Sequence, residues 1–403
     1  MKKLITVAGG ILLALSLAAC GGSPGNGSAQ PPTDQPAEPV ELVVWESLEG
    51  PDEFIKQAGA KYTESHPNVT IKFVNVELGD SSTQIALDGP AGKGPDLFAA
   101  PHDRLGELVS GGHILPTANS AGLSVQESAV KALTYDGTMY GYPVSSETYS
   151  LFYNKAMVQD PPKTWDEVIT FAKDFNAKNK GKYGFVMDVG NGYYTILFTT
   201  SNDNRLFGPD GTDTTNTNIN SPASVEGMKQ FVKLREALEI PAADLGTDAV
   251  DALFAGGKAA MHITGPWNIK PFTDAGIDFG VATLPALTGN TEPAASFSGT
   301  RGMFASAYSE HPEQAAEFAA FLTTAEMQKL RYDITGALPV ADVAVDSAAA
   351  QGLIEQLQYA FPMPSIPQMS AFWDAMNNAS ANVWNGADIQ KELDAANKTI
   401  LAS

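Results

Sequence analysis

Apolar positions along this chain fall into two recurring patterns, and their alternation predicts its architecture. Short blocks at 41–45 (Glu-Leu-Val-Val-Trp) and 68–76, rich in β-branched and aromatic residues, read as buried strands, and 96–100 reads as a further strand. Between the first two, Phe54, Ala58 and Tyr62 return every four residues, the period of one helix face. That predicts a helix over 53–65, with Asp52 as its cap and His66-Pro67 as its end. A strand, a helix and a strand in that order, both strands buried, predict a parallel sheet in an α/β fold.

The same reading continues along the chain. Thr164 stands as the N-cap of a helix beginning at Trp165, and Glu167 completes a capping box. Residues 183–189 read as a strand, and Gly190-Asn-Gly-Tyr193-Tyr194 sets two aromatics on a loop ahead of an apolar helix. Segment 204–220, rich in Gly, Asp, Asn and Thr, predicts a hairpin. Helices are expected over 222–237, 248–255, 312–323 and 325–335, strands over 259–264 and 278–284, and a helical region after 373. Stretch 140–155 is extended and opens after the turn Asp136-Gly137. It carries one carboxylate, Glu147, among small polar residues. Such an acid is either solvated on a strand edge or aimed into a polar cleft. At 403 residues the chain exceeds what one core organises, so two lobes are expected.

The first residues carry an address. Lys2-Lys3 precede an apolar, uncharged run over 4–19, too short for the ~20 residues of a membrane-spanning helix. This reads as a signal peptide over 1–19. It ends in Leu17-Ala18-Ala19-Cys20, which resembles the lipobox of bacterial lipoproteins, so Cys20 is expected to be acylated and to become the first residue. Residues 20–40 then form a lipidated, flexible tether that would hold the folded part about 25 Å from the lipid. The chain is therefore expected on the extracytoplasmic face of the cell membrane.

Charge and composition remove several function classes. A net charge of −21 repels polyanions, and no basic run or RNA motif opposes it, so no nucleic-acid partner is expected. Five scattered histidines, and no cysteine set, give no metal site. Gly89 and Gly92 have the wrong spacing for a phosphate loop, and Gly94 stands where its hydroxyl residue would be. No Gly-x-Ser-x-Gly elbow is present, and no cofactor is expected.

What remains is a set of rings and charges on expected loops: Tyr193, Trp267, Trp373, Asp103, Arg104 and Glu147. A sugar ring offers apolar faces to an aromatic ring and a rim of hydroxyls that donate to carboxylates and accept from arginine. Each aromatic has packing as its alternative role. Asp103 and Arg104, at the carboxyl end of a strand, either meet a ligand or pair with surface charges.

From 43 to about 375 the chain resembles the maltose/maltodextrin-binding proteins of ABC importers. The resemblance rests on Gly-Pro-Asp-Leu-Phe (94–98) with His-Asp-Arg (102–104), and Tyr-Pro-Val-x-x-Glu (142–147) with Leu-Phe-Tyr-Asn-Lys (151–155). It continues through Pro-Pro-Lys-Thr-Trp (161–165), Gly-Pro-Trp (265–267) and Pro-x-Ile-Pro-Gln-Met-Ser-Ala-Phe-Trp (364–373). It implies a two-lobed, periplasmic-binding-protein-like α/β fold with three crossings, at 144–149, 297–302 and 336–339, and a ligand cleft between the lobes. The N-terminal lobe would be 41–146 plus 301–336, the C-terminal lobe 147–300 plus 337–403. Asp103, Arg104 and Glu147 would hydrogen-bond glucose hydroxyls, and Tyr193, Trp267 and Trp373 would lie under successive rings. Ala100 stands where well-known members carry a tryptophan facing the sugar. The parts played by Glu46, Glu49, Asp80 and Arg301 are left open.

The expected function is therefore non-catalytic capture of a maltodextrin-like oligosaccharide by a monomer, and its delivery by hinge closure to the permease subunits of an importer. Two alternatives stand beside it: a lipid-anchored glycoside hydrolase with two opposed carboxyls, and a binding protein for a different sugar or polyol.

Overall fold

The computed structural model describes residues 38–48 and 50–403. The expected signal peptide, Cys20, the tether up to residue 37 and Glu49 lie outside the described residues. The strands are β1 (Val40–Glu46), β2 (Val69–Asn75), β3 (Leu97–Pro101), β4 (Thr134–Tyr135), β5 (Thr138–Met139), β6 (Tyr142–Thr148) and β7 (Ser150–Asn154). They continue with β8 (Met261–Thr264), β9 (Phe279–Ala282), β10 (Phe297–Ala305) and β11 (Phe361–Pro362).

One sheet runs β11-β10-β3-β1-β2, with β6 added on β10. β1 pairs in parallel with β2 and β3, as buried strands joined by helices must. The all-parallel expectation fails beyond them: β10 is antiparallel to both β3 and β6. A second sheet, β8-β7-β9, is antiparallel throughout. The molecule thus has two lobes, each built around its own sheet.

Two apolar clusters draw on the strands of the first sheet, one of them holding Trp45, Phe98 and Phe304, and a third surrounds the second sheet. Val44, Phe54, Ala58, Tyr62, Val144, Met303 and Phe318 belong to the other cluster of the first sheet, while Tyr149, Leu151, Trp165, Ile263, Phe297 and Leu338 belong to the third. The chain passes from one core to the other along β6 and β10, and a single bridge from Ser146 to Leu338 lies beside them.

Most elements follow the sequence pattern, and the exceptions have local causes. The helix Pro51–Ser65 buries Phe54, Ala58 and Tyr62 and stops at His66. Its N-cap, however, is Gly50, with Pro51 at the first helical position; Asp52 lies inside the first turn and its Oδ1 accepts from Gly50 N–H at 3.2 Å. The helix Trp165–Lys178 has the full Thr164–Glu167 capping box. Residues 183–189 make only isolated bridges, Tyr183 with Ala259 and Val186 with His262. Gly184 between them is pressed on the helix: a Cβ there would sit 2.4 Å from Ala172 Cα, so the segment bends.

Segment 204–220 holds no strand. Phe207 (φ 56°) and Asn218 (φ 62°) are left-handed, which breaks a ladder before it starts. Side chains anchor the loop instead, through Thr217 Oγ1 to Asn397 Oδ1 at 2.6 Å. The helix Ala348–Leu357, unforeseen from sequence, packs against β9.

Candidate functional site

All six residues singled out from sequence line one cavity of about 410 Å³: Asp103, Arg104, Glu147, Tyr193, Trp267 and Trp373. They arrive from five separate parts of the chain. Asp103 and Arg104 follow β3 in a short 3₁₀ turn. Glu147 is on β6, which pairs with β10 and with no other strand of the sheet, but its side chain is only 18% exposed, so of the two sequence options it takes the cleft-facing one.

Tyr193 is on a short helix, Gly192–Thr195, rather than on a loop. Asn191 caps it, accepting from Tyr193 N–H at 2.9 Å, and itself lines the cavity. Trp267 follows β8 in the turn Pro266–Asn268. Gly265 lets the indole fold back, since a Cβ there would sit 2.2 Å from the Trp267 ring. Trp373 is on the helix Met369–Trp384.

The three rings form one surface. Tyr193 lies 6.2 Å from Trp267 and 6.5 Å from Trp373 between centroids, at interplanar angles of 51° and 41°. Direct ring contact spans about 4.5–7 Å. No flat ring fits between such neighbours, so a ligand ring would lie against the tilted surface they share. Burial, and next the charge of Glu147, hold the Tyr193 phenol well above its ordinary range, so it stays a neutral donor.

The polar groups are fixed from behind. Trp373 Nε1 donates to Asp103 Oδ2 at 3.0 Å, while Asp103 Oδ1 is buried without a hydrogen-bond partner. Burial pushes the Asp103 carboxyl up, against the opposing pull of His102 and Arg104. Arg104 reaches Glu107 Oε2 and Ser370 Oγ, both at 3.4 Å. His102 accepts Thr300 N–H at Nδ1 (3.1 Å) and donates from Nε2 to Met363 O (2.9 Å). Burial lowers its pKa, so the neutral ring clamps β10 to the segment before the Trp373 helix.

Several wall residues were not singled out from the sequence, among them Asn191, Thr300 and Met363, and Arg301, whose part was left open, joins them. Asn191 before Gly-Tyr was a legible cap signal; Thr300, Arg301 and Met363 become neighbours only through β10 and β11 pairing. A second chamber of about 490 Å³ shares Glu147, Trp267 and Arg301 with the first and extends to Asp248, Asp251 and Arg331. Asp80 lines neither; it is exposed on a different depression, beside Lys72 and Lys93. Ala100 is fully buried against the cluster of Trp45 and Phe98, away from both cavities. Among the described residues no group of acids, histidines and cysteines is arranged to hold a metal ion.

Comparison with known proteins adds the following. Residues 57–358 match the family model described as bacterial extracellular solute-binding protein. The chain is 32% identical to the galactooligosaccharide-binding protein of Bacillus subtilis over 407 residues, covering 96% of this chain and 94% of that one. It is 30% identical to the maltooligosaccharide ABC transporter solute-binding lipoprotein of Streptococcus pneumoniae serotype 4, covering 94% and 91%. Among solved structures it resembles a cyclo/maltodextrin-binding protein complexed with maltotetraose, at TM-score 0.76 and 36% identity, covering 90% of this chain and 97% of that one.

Proposed function

The chain belongs to the bacterial extracellular solute-binding proteins, and from that membership we propose that its cleft captures a neutral maltodextrin-type oligosaccharide for an ABC importer. The observation that carries this reading is Asp103 Oδ1, a buried acceptor without a protein partner beside a continuous aromatic surface. Once the cleft opens to admit it, a sugar hydroxyl satisfies that oxygen while an apolar sugar face covers the rings. Glu147 accepts a second hydroxyl, and Arg104 donates from its fork. Tyr193, Trp267 and Trp373 supply the surface for the rings.

The lobes are assigned as 41–146 plus 301–336 and 147–300 plus 337–403; two of the three apolar clusters fall in the first lobe and the third in the second, except that Tyr332 packs with the second. Closure is assigned to the crossings on β6, on β10 and at 336–339, driven by the ligand's extra affinity for the closed form. The closed form docks on the permease. Cys20 carries the lipid anchor, in line with the streptococcal relative named as a lipoprotein. The tether ends by residue 39 rather than 40, because Val40 opens β1 and is buried in the core. No reaction is assigned.

A second reading comes from the relative named for galactooligosaccharides, which this chain matches at 32% identity. Titration calorimetry against maltose, maltotriose, maltotetraose, a cyclodextrin and a galactotriose separates the two. Binding of the glucose oligomers without release of reducing sugar is expected. Heat only from the galactose oligomer would replace the first reading with the second, and steady release of reducing ends would make the chain a hydrolase.

A further inference from the structure

Behind the cleft wall lies a set of four charges that sum to zero. Glu46, the last residue of β1, is fully buried and takes two guanidinium groups at once. Its Oε1 accepts from Arg301 Nη2 and from Ser47 N–H, and its Oε2 accepts from Arg301 Nε at 3.2 Å and Arg331 Nη1 at 3.4 Å. Arg301 Nη1 then reaches Glu147 Oε1 at 3.6 Å. Arg331 lies 5.1 Å over the Phe54 ring, and its Nε is buried without a partner.

The placement of these arginines is what matters. Arg301 is 7% exposed and Arg331 1%, and both line the second chamber; Arg301 lines the first as well. Two guanidinium forks at the floor of a cleft make an anion site, because the fork matches carboxylate and phosphate in two bonds. Here the fork of Arg301 is already filled, from behind, by Glu46. The same chamber is also lined by Glu77, Asp248 and Asp251, the last bonded to His262 Nε2 at 2.7 Å, which add negative charge. What the cleft offers a solute is therefore a balanced or negative floor.

We propose that Glu46 is a selectivity residue: by occupying Arg301 and Arg331 it makes the cleft reject anionic sugars and leaves Arg301 to position Glu147 for a neutral hydroxyl. This rests on the reading that the cleft takes an oligosaccharide. Glu46 touches no solute itself; it acts through the arginines. Removing its charge while keeping its shape frees a cationic floor, so anionic sugars gain affinity. A residue that merely stabilised the fold would weaken every ligand alike.

The test is titration calorimetry with maltotriose and two anionic probes, its reducing-end acid and a maltose phosphorylated at the non-reducing end. The proteins are the wild-type chain, Glu46→Gln, Arg331→Gln and the double variant. In Glu46→Gln the preference for maltotriose over at least one anionic probe should fall about tenfold, the worth of one charge-assisted hydrogen bond. In Arg331→Gln the preference should sharpen, and in the double variant, whose charges again balance, it should return to within about threefold of wild type. An unchanged preference in Glu46→Gln overturns the proposal. If that variant does not fold, as judged by circular dichroism, an unchanged preference in Arg331→Gln overturns it equally. A wild-type chain that binds no maltotriose sinks the oligosaccharide reading first, and this proposal with it.

Discussion

Asp103 shows what a binding cleft costs at the level of one residue. It is 3% exposed, one oxygen is held by Trp373 and the other has no partner. Its pKa is raised above 3.8, so the folded chain holds that proton more tightly than the unfolded chain. The stabilising contribution is then fully present at pH below 3.8 and is lost as pH rises through the raised folded value. Asp103→Asn should therefore be more stable than wild type at pH 7, by about 1–3 kcal/mol, with the gap closing toward pH 3.8. Thermal midpoints of both proteins between pH 3.5 and 7.5 check this, and the same variant should bind sugar more weakly. Glu147→Ala should keep its fold and lose about 10–100-fold in affinity, the worth of a hydrogen bond to a charged group. Unchanged affinity in calorimetry would leave Glu147 as a wall residue only. Ala100 marks the limit of reading at this scale. It stands where well-known members carry a tryptophan facing the sugar, and β3 buries it in the core, a placement that only the neighbouring strands reveal.

At the scale of elements, local signals held where their physics is local. The Thr164–Glu167 capping box is satisfied within four residues and needs no tertiary partner. Thr164→Ala should lower stability by about 1 kcal/mol in urea unfolding and leave sugar affinity unchanged, since the cap lies outside the cleft. Signals failed where a distant surface decides, and in one case where a sequence neighbour does. Residues 183–189 have strand composition, but contact at Gly184 with the helix Trp165–Lys178 prevents a continuous ladder. Segment 204–220 has hairpin composition, but its asparagine and threonine side chains bond to the C-terminal helix and replace cross-strand pairing. Asp52 has a cap residue's chemistry, but Pro51 takes the first helical position and leaves the cap to Gly50.

For the whole molecule, the prediction concerns linkage between sugar and stability. A neutral ligand at one hundred times its Kd should raise the free energy of unfolding by about 2.7 kcal/mol, measurable as an upward shift in thermal midpoint. Because the ligand carries no charge, its affinity should change by less than roughly twofold between low and high salt, despite the chain's net charge of −21. Strong salt dependence would point to a charged solute instead. Glu46 adds an acid limit. Burial raises its pKa, but Arg301 and Arg331 outweigh that and hold it below 4.5. Its contribution to stability is thus complete above pH 4.5 and is lost as pH falls through the lowered folded value, so the network weakens only in acid.

The sequence by itself determined the helices whose apolar residues recur every four positions, the strand at the head of the chain, and the residue types that suit a sugar. Those are properties of neighbours along the chain, set by dihedral preference, side-chain period and capping. Tertiary structure alone decided that Asp103 and Trp373 share a hydrogen bond across 270 positions, and that Glu46 meets Arg301 and Arg331 from 255 and 285 positions away. A buried charge is tolerated only if its partners arrive with it, and nothing in the residues around Glu46 says which arginines those are. Pairing of β1 with β3 and of β3 with β10 brings Glu46 and Arg301 together, and packing of the helix Ala325–Thr335 on Pro51–Ser65 brings Arg331.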